Sequence, residues 1–218
     1  MVVRKELDDG LKQIQDWLGE MGGRVERALR ESMTALTNLD MNLARKVLAD
    51  DLRLNQIEEQ IDEAAARLIA TQQPVAKDLR RILAGITIAS DLERMGDLSV
   101  DVAKAAIRLE GQQLVKPLID LPRMADIVRG MIAESIRAYN EENVDLALKM
   151  AKDDDEVDAL CGTVFRDLAA IMAGDSGTIG QAMLLSFTAR YIERIADHAT
   201  NIGESVVYLA TGKRPELN

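Results

Sequence analysis

Apolar residues recur three and four positions apart along almost the whole chain, which is the spacing of one face of an α-helix. The pattern is interrupted around the prolines of the chain, Pro74, Pro117, Pro122 and Pro215. Between the interruptions we predict six helices, at residues 6–38, 41–71, 76–111, 121–140, 144–173 and 177–211. No strand is predicted.

The composition of the chain agrees with a helical fold. Only 3% of the residues are aromatic, and Ala, Leu, Met, Glu, Lys and Arg, which favour helices, occur in nearly every segment. A helix of about 30 residues is about 45 Å long, so such helices must lie side by side to bury their apolar faces. The composition therefore favours bundles of long antiparallel helices.

The two halves of the chain are similar in sequence. When residues 21–51 are aligned with residues 124–154, an offset of 103, ten positions are identical. At an offset of 100, residues 92–97 (LERMGD) align with residues 192–197 (IERIAD). Since each half contains three predicted helices, we expect an all-α fold of two tandem three-helix bundles, in residues 1–111 and 112–218.

The charge and the cysteine content exclude several classes of protein. The formal net charge is −10, which disfavours binding to the phosphate backbone of DNA or RNA. A single cysteine, Cys161, cannot form an intrachain disulfide, and the first residues lack the apolar segment of a signal peptide. The uncharged run at 176–189 is too short to span a bilayer. We therefore expect a cytoplasmic protein without membrane insertion.

Acidic residues recur four positions apart on the third helix of each half. The acidic ladder of the first half is Glu93, Asp97 and Asp101, and the second half repeats it with Glu193, Asp197 and Asn201. The preceding long helix adds Asp51 and Asn55 in the first half, and Asp154 and Asp158 in the second. Like charges four apart cost about 0.2–0.5 kcal/mol per pair, so something cationic is expected to compensate them.

Two explanations of these ladders remain open. Basic side chains of the same or neighbouring helices could neutralise the acids, which could also simply face solvent; the candidates are Arg94, Arg190, Arg194 and Lys104. Alternatively, carboxylates without imidazole or thiolate suit Mg²⁺, Mn²⁺, Ca²⁺ or iron. Glu58 and Asp62 form a further acidic pair, expected to be solvated, and Cys161 and Phe165 stand at the equivalent places.

No motif of an enzyme is present in the sequence. The phosphate-binding loop, the nucleophile elbow and the HExxH zinc motif are all absent. His198, the only histidine, is expected on a half-exposed face, where it could add a nitrogen ligand to the second ladder. One histidine cannot supply the two Glu-x-x-His motifs of a di-iron bundle enzyme. We therefore predict a protein without catalytic activity.

The chain has duplicated halves, Gln73-Pro74 followed by Asp78-Leu79-Arg80, and above all the motif LERMGD repeated as IERIAD. In these features it resembles the PhoU family of phosphate uptake regulators. The resemblance covers nearly the whole chain. It implies a cytoplasmic regulator that binds the ATPase of the phosphate ABC transporter and a sensor histidine kinase. It also implies restraint of phosphate uptake and of the phosphate-starvation response when phosphate is plentiful.

The family's acidic motifs can hold metal clusters on the bundle surface, with iron, magnesium, manganese or zinc as candidate ions. By this resemblance the metal ligands here are Glu93 with Asp97, Glu193 with Asp197, and Asp154 with Asp158. Asn55 and Asn201 depart from the acidic pattern and lower the ligand charge, so the two sites need not bind metal equally.

Three functions are consistent with the sequence. The leading hypothesis is a regulator that acts by binding partners, with Arg94 and Arg194 as partner-binding residues and a homodimer as the expected assembly. The second is a metal-cluster or iron-handling protein, and the third a helical spacer, which the duplicated acids oppose. No site for phosphate itself is recognisable in the sequence.

Overall fold

The computed structural model describes residues 2–213 and 215–217, and every regular element in this part of the chain is helical. The α-helices are α1 (Val2–Asn38), α2 (Met41–Asp50), α3 (Leu52–Gln72), α4 (Ala76–Arg108), α5 (Asp120–Glu141), α6 (Val144–Gly174) and α7 (Ile179–Thr211). A short 3₁₀ turn at Ser176–Thr178 precedes α7. The predicted all-α class is confirmed. Residues 1, 214 and 218, which the predicted domains include, lie outside the described residues.

The largest difference from the predicted helices is a break at Asp51. One helix was expected over 41–71, whereas the structure has α2 and α3. Asp51 keeps helical dihedral angles, φ −66° and ψ −39°, so the break is a local interruption of the hydrogen bonds and not a change of chain direction. The equivalent helix of the second half, α6, continues through Asp154 without a break.

Equivalent residues turn the chain in the two halves. Leu39 and Glu142, 103 residues apart, are both in the left-handed region with φ 51°. The next residue in each half caps the following helix with its side-chain oxygen: Asp40 accepts from the backbone N–H groups of Asn42 and Leu43, and Asn143 accepts from that of Leu146. The same local signal therefore builds the same helical hairpin twice.

The helices pack as two bundles that share one continuous core. In the first half α1 lies against α2, α3 and α4, and in the second half α5, α6 and α7 lie against one another. The halves meet where α4 packs on α7 and α1 on α5. Buried apolar side chains run through both bundles and across this contact, including Leu18, Leu92, Val128 and Ile192. The domain boundary between residues 111 and 112 stays a prediction.

The segment between the halves packs on the second bundle. Gln181 of α7 accepts a hydrogen bond from the backbone N–H of Val115 at 2.6 Å and donates to the carbonyl oxygen of Gln113 at 3.0 Å. Lys116 pairs with Asp167 of α6 at 2.6 Å. The connection is thereby held in place by side chains of two helices. None of the described helices combines the length and the apolar character required to cross a membrane.

Candidate functional site

The second half brings four of the predicted acidic residues together, which we call the second-half cluster: Asp154, Asp158, Glu193 and Asp197. Asp154 on α6 is 6% exposed and Glu193 on α7 is 8% exposed. Asp154 Oδ1 and Glu193 Oε2 are buried, and none of the described residues donates a hydrogen bond to either. Two carboxylates thus reach below the surface with part of their hydrogen-bonding capacity unused.

Burial and mutual repulsion shift the second-half cluster toward its protonated form. Burial, followed by the charges of Asp197, Asp158 and Glu193, raises the pKa of Asp154 to about 7. Burial and the Asp197 charge raise the pKa of Glu193 to about 6, although Arg190 opposes the rise. Burial also raises the pKa of Asp197. The negative charge concentrated here is therefore incompletely neutralised by neighbouring cations.

The first-half cluster consists of the equivalent residues Asp51, Asn55, Glu93 and Asp97, and it is looser. Glu93 is half-buried, and the amide of Asn55 donates a hydrogen bond to Glu93 Oε1 at 3.4 Å. Burial and then the charge of Asp97 raise the pKa values of both Asp51 and Glu93. Because the neutral amide of Asn55 stands where the second half has Asp158, this cluster carries one charge fewer.

The outermost members of the two predicted ladders have different surroundings. Asp101 forms an ion pair with Lys104 at 2.8 Å. Asn201 lines a cavity of about 200 Å³ between α4 and α7, together with Thr87, Asp91 and Glu204. Asp101 therefore takes part in local charge pairing, and Asn201 lies at the contact between the halves.

Arg190 and Lys104, two of the basic residues proposed to neutralise the ladders, are paired with ladder acids. Arg190 forms an ion pair with Glu193, and Lys104 pairs with Asp101. Arg94 and Arg194 are exposed, as their predicted role in partner binding requires. Glu193 lies on the face of its helix opposite the apolar seam, a position that predicts partial accessibility; this prediction is wrong, because Glu193 is 8% exposed.

The chemistry of the two clusters suits a metal ion better than their geometry does. Buried carboxylate oxygens without donors are suitable ligands for a hard cation. Among the described residues, however, no three His, Cys, Asp or Glu side chains come together in a geometry that could hold a metal ion. A cation at the second-half cluster would therefore take most of its ligands from water, as Mg²⁺ usually does.

The contact between the halves contains a pair that the sequence did not reveal. His198 Nδ1 lies 2.9 Å from Asp91 Oδ1, and both residues are more than nine-tenths buried. The expectation of a half-exposed His198 is therefore wrong, and its ring faces Asp91 of α4. At the equivalent positions stand Leu98 and Tyr191, so no repeated pattern could have indicated this pair.

Comparison with known proteins decides the family. The sequence profile described as PhoU domain matches the chain twice, at residues 18–106 and 121–206. The chain belongs to the PhoU family. The two matches begin 103 residues apart, which is the offset of the internal duplication.

Relatives in the PhoU family match the chain over almost its whole length. The "phosphate-specific transport system accessory protein PhoU homolog" of Clostridium acetobutylicum is 38% identical over 218 residues, covering 100% of both chains. The protein of the same name from Rhizobium meliloti is 39% identical over 215 residues, which is 98% of this chain and 91% of the relative.

Solved structures of the PhoU family have the same fold. The crystal structure of PhoU from Pseudomonas aeruginosa aligns with a TM-score of 0.90 at 35% identity, covering 94% of this chain and 99% of the other. The phosphate transport system regulatory protein PhoU from Streptococcus pneumoniae also gives a TM-score of 0.90, at 27% identity, covering 96% and 99%. The predicted resemblance and the tandem-bundle fold are confirmed.

Proposed function

We propose that this protein is a cytoplasmic negative regulator of phosphate uptake and of the phosphate-starvation response, without catalytic activity of its own. The observation that carries the proposal is the full-length similarity to relatives named as accessory proteins of phosphate-specific transport. The partners that this function requires are the ATPase of the phosphate transporter and a sensor histidine kinase. Self-association into a homodimer stays a prediction.

Arg94 and Arg194 are the proposed contact residues for these partners. They occupy equivalent positions on α4 and α7, and both side chains are exposed beside acidic residues. Planar guanidinium groups suit carboxylate-rich surfaces, while the neighbouring acids repel wrong partners and orient the right ones.

A reporter of a phosphate-starvation gene tests the function in cells. In phosphate-replete medium, deletion of the gene should switch the reporter on, and the wild-type gene should silence it again. Arg94→Glu and Arg194→Glu should each fail to silence it, because a reversed charge repels the partner surface. A pull-down from the same cells should recover the transporter ATPase and the kinase with the wild type and lose them with the variants.

Arg137→Glu is the matched control, since Arg137 is an exposed arginine of α5 at a distance from the acidic clusters in sequence. This variant should silence the reporter as the wild type does. A deletion strain whose reporter stays silent would contradict the proposed function. Silent reporters in both arginine variants, with wild-type melting temperatures, would place the contact elsewhere on the bundles.

A second candidate function, which one observation favours, is cation binding at the second-half cluster. Asp154 Oδ1 and Glu193 Oε2 lie buried without donors among carboxylates with raised pKa values. A divalent ion would relieve this repulsion and would stabilise the folded state through mass action. The first-half cluster would bind more weakly because it has one carboxylate fewer.

Thermal unfolding with added Mg²⁺, Mn²⁺ or Fe²⁺ tests cation binding. We expect the ion to raise the melting temperature of the wild type. Asp197→Ala should remove most of this increment and Asp97→Ala a smaller part of it. Asp9→Ala, at an exposed acid of α1, is the control and should keep the full increment. Equal increments in all of the proteins would show that the clusters do not hold the ion.

A further inference from the structure

Both phenylalanines of this chain are exposed. Phe165 on α6 is 41% exposed and Phe187 on α7 is 49% exposed, and the chain contains no third phenylalanine. Met183, one turn before Phe187, is 47% exposed. Phenylalanine is among the residues most often buried, and exposed aromatic and methionine side chains that lie together mark contact surfaces.

The antiparallel register of α6 and α7 places these residues side by side. The charge of Asp197 acts on Asp154, and the charges of Glu193 and Arg190 act on the thiol of Cys161, two turns further along α6. One more turn in the same direction brings Phe165 level with Phe187. Asp158, Cys161 and Phe165 follow one another at spacings of three and four, so they lie on one stripe of α6.

We call the resulting surface the mixed face: Phe165, Ile179, Met183 and Phe187 at its apolar end, and the second-half cluster at its acidic end. Along α7 it extends over 19 residues, from Ile179 to Asp197, which is about 27 Å of helix. The apolar end is thus continuous with the most strongly perturbed carboxylates of the molecule.

The first half lacks this combination. Asp62 stands at the position equivalent to Phe165, Thr87 at that of Phe187, and Glu58 at that of Cys161. Asp62 and Thr87 are exposed, as their phenylalanine counterparts are. The same backbone surface is therefore stable with polar residues, and stability of the bundle does not explain the phenylalanines.

We propose that the mixed face binds an amphipathic helix of a partner protein, with apolar residues over Phe165, Met183 and Phe187 and with Lys or Arg over the second-half cluster. This deepens the proposed function, on which it rests, by assigning the partner's helix a place on α6 and α7. The partner helix would lie along the groove between two antiparallel helices, as the fourth helix of a bundle.

The negative charge of the second-half cluster favours a basic helix over a second copy of this chain as the binding partner. The cluster is acidic within a chain of net charge −10, so a second copy brings more negative charge to the contact. A helix with a basic end instead brings positive charge to Asp154 and Glu193, each of which has a carboxylate oxygen without a hydrogen-bond donor. The two phenylalanines then serve as the apolar anchors of the contact, a usual role of aromatic side chains at interfaces.

The probe for the first experiment is a synthetic helical peptide of about 18 residues, the length of the mixed face. It carries leucines at spacings of three and four and lysines at one end. We expect saturable binding to the wild-type protein by fluorescence anisotropy. A second peptide with glutamate in place of each lysine should bind at least tenfold more weakly.

The test variants exchange each phenylalanine for its own counterpart in the first half, Phe165→Asp and Phe187→Thr. Each should weaken peptide binding at least tenfold with an unchanged melting temperature. Asp158→Asn, which removes an exposed carboxylate, should weaken binding and reduce its dependence on salt. Leu148→Ser, at a 46% exposed leucine on another side of α6, is the control and should leave binding unchanged.

Two outcomes overturn the proposal. One is equal binding of the peptide by the wild type and both phenylalanine variants. The other is self-association of the wild type in sedimentation that Phe165→Asp abolishes, because the face would then belong to a second copy. The reporter assay separates this inference from the proposed function. If deletion of the gene activates the reporter while both phenylalanine variants silence it, the mixed face is refuted as the docking site and the proposed function is retained.

Discussion

Asp154 and Glu193 are unfavourable for stability at neutral pH. Their pKa values of about 7 and about 6 mean that the folded protein resists charging them both. In an unfolded chain these carboxyls ionise near pH 4. Between pH 4 and 7 the folded state therefore binds protons that the unfolded state has released, so the free energy of unfolding falls as pH rises.

Asp154→Asn should therefore stabilise the metal-free protein at pH 8 and have little effect at pH 4. The expected gain at pH 8 is about 1–3 kcal/mol, since each unit of a raised pKa corresponds to about 1.4 kcal/mol. Urea unfolding in the presence of a chelator measures it. Asp9→Asn, at an exposed acid of α1, is the control and should change the free energy little at either pH. A gain of equal size at both pH values would contradict the electrostatic explanation.

At the scale of the helices, the two halves pack in the same way, although the larger and the smaller side chain at one contact are distributed differently between the two helices. A methyl group at Gly96 of α4 would lie 2.3 Å from Leu54 Cδ1 of α3. The equivalent residues of the second half are Ala196 and Val157, so a larger residue on one helix accompanies a smaller one on the other. The close approach of α3 and α4 at Gly96 therefore depends on this pair of sizes.

Gly96→Ala should lower the free energy of unfolding by about 1 kcal/mol, because overpacking exceeds the helix propensity that alanine adds. Leu54→Val in the same chain creates the space that the methyl group needs, as in the second half. The double variant should be at least about 1 kcal/mol more stable than additivity of the single variants predicts. Urea unfolding of all four proteins measures this coupling, and strict additivity would refute it.

At the scale of the whole molecule, the residues at the contact between the halves do not follow the internal repeat. Glu142, in the left-handed turn before α6, forms ion pairs with Lys77 and Arg81 of α4, whereas its counterpart Leu39 is apolar. Arg80 donates a hydrogen bond to the carbonyl oxygen of Leu209 near the end of α7, at 3.3 Å. Glu142 and Arg80 thus connect the halves through polar contacts of residues that the internal repeat does not duplicate.

Glu142→Gln should loosen this connection in a pH-dependent manner. Burial opposes ionisation, but hydrogen bonds and charge from Lys77 and Arg81 outweigh it and lower the pKa of Glu142 in the folded state. Its contribution is therefore present above the unfolded pKa, near 4.5, and is lost as pH falls through the folded value.

We expect the Glu142→Gln protein to be about 1–2 kcal/mol less stable than the wild type at pH 7, with a smaller deficit at pH 3. Urea unfolding at the two pH values measures the difference. Glu141→Gln, at the exposed neighbouring position, is the control and should match the wild type throughout. A deficit of the same size at pH 3 would point to packing and not to charge.

Most of the secondary structure was predictable, because helix periodicity and capping are local. The predicted helix ends lie within a few residues of those observed, except at Asp51 and at the start of α1. The acidic members of the second-half cluster were also predictable, since a spacing of four on two duplicated helices directs them to one groove. The pairing of Asp91 with His198 was not, because residues 107 positions apart leave no periodic signal.

The sequence by itself determined the helical class, the duplication and the family, since these depend on spacing and on repeated motifs that can be read along the chain. The tertiary structure alone decided which carboxylates are buried, which arginines remain exposed and where both phenylalanines meet the surface. Burial and electrostatic perturbation depend on what each helix packs against. That information lies in the arrangement of α4, α6 and α7, and no single helix carries it.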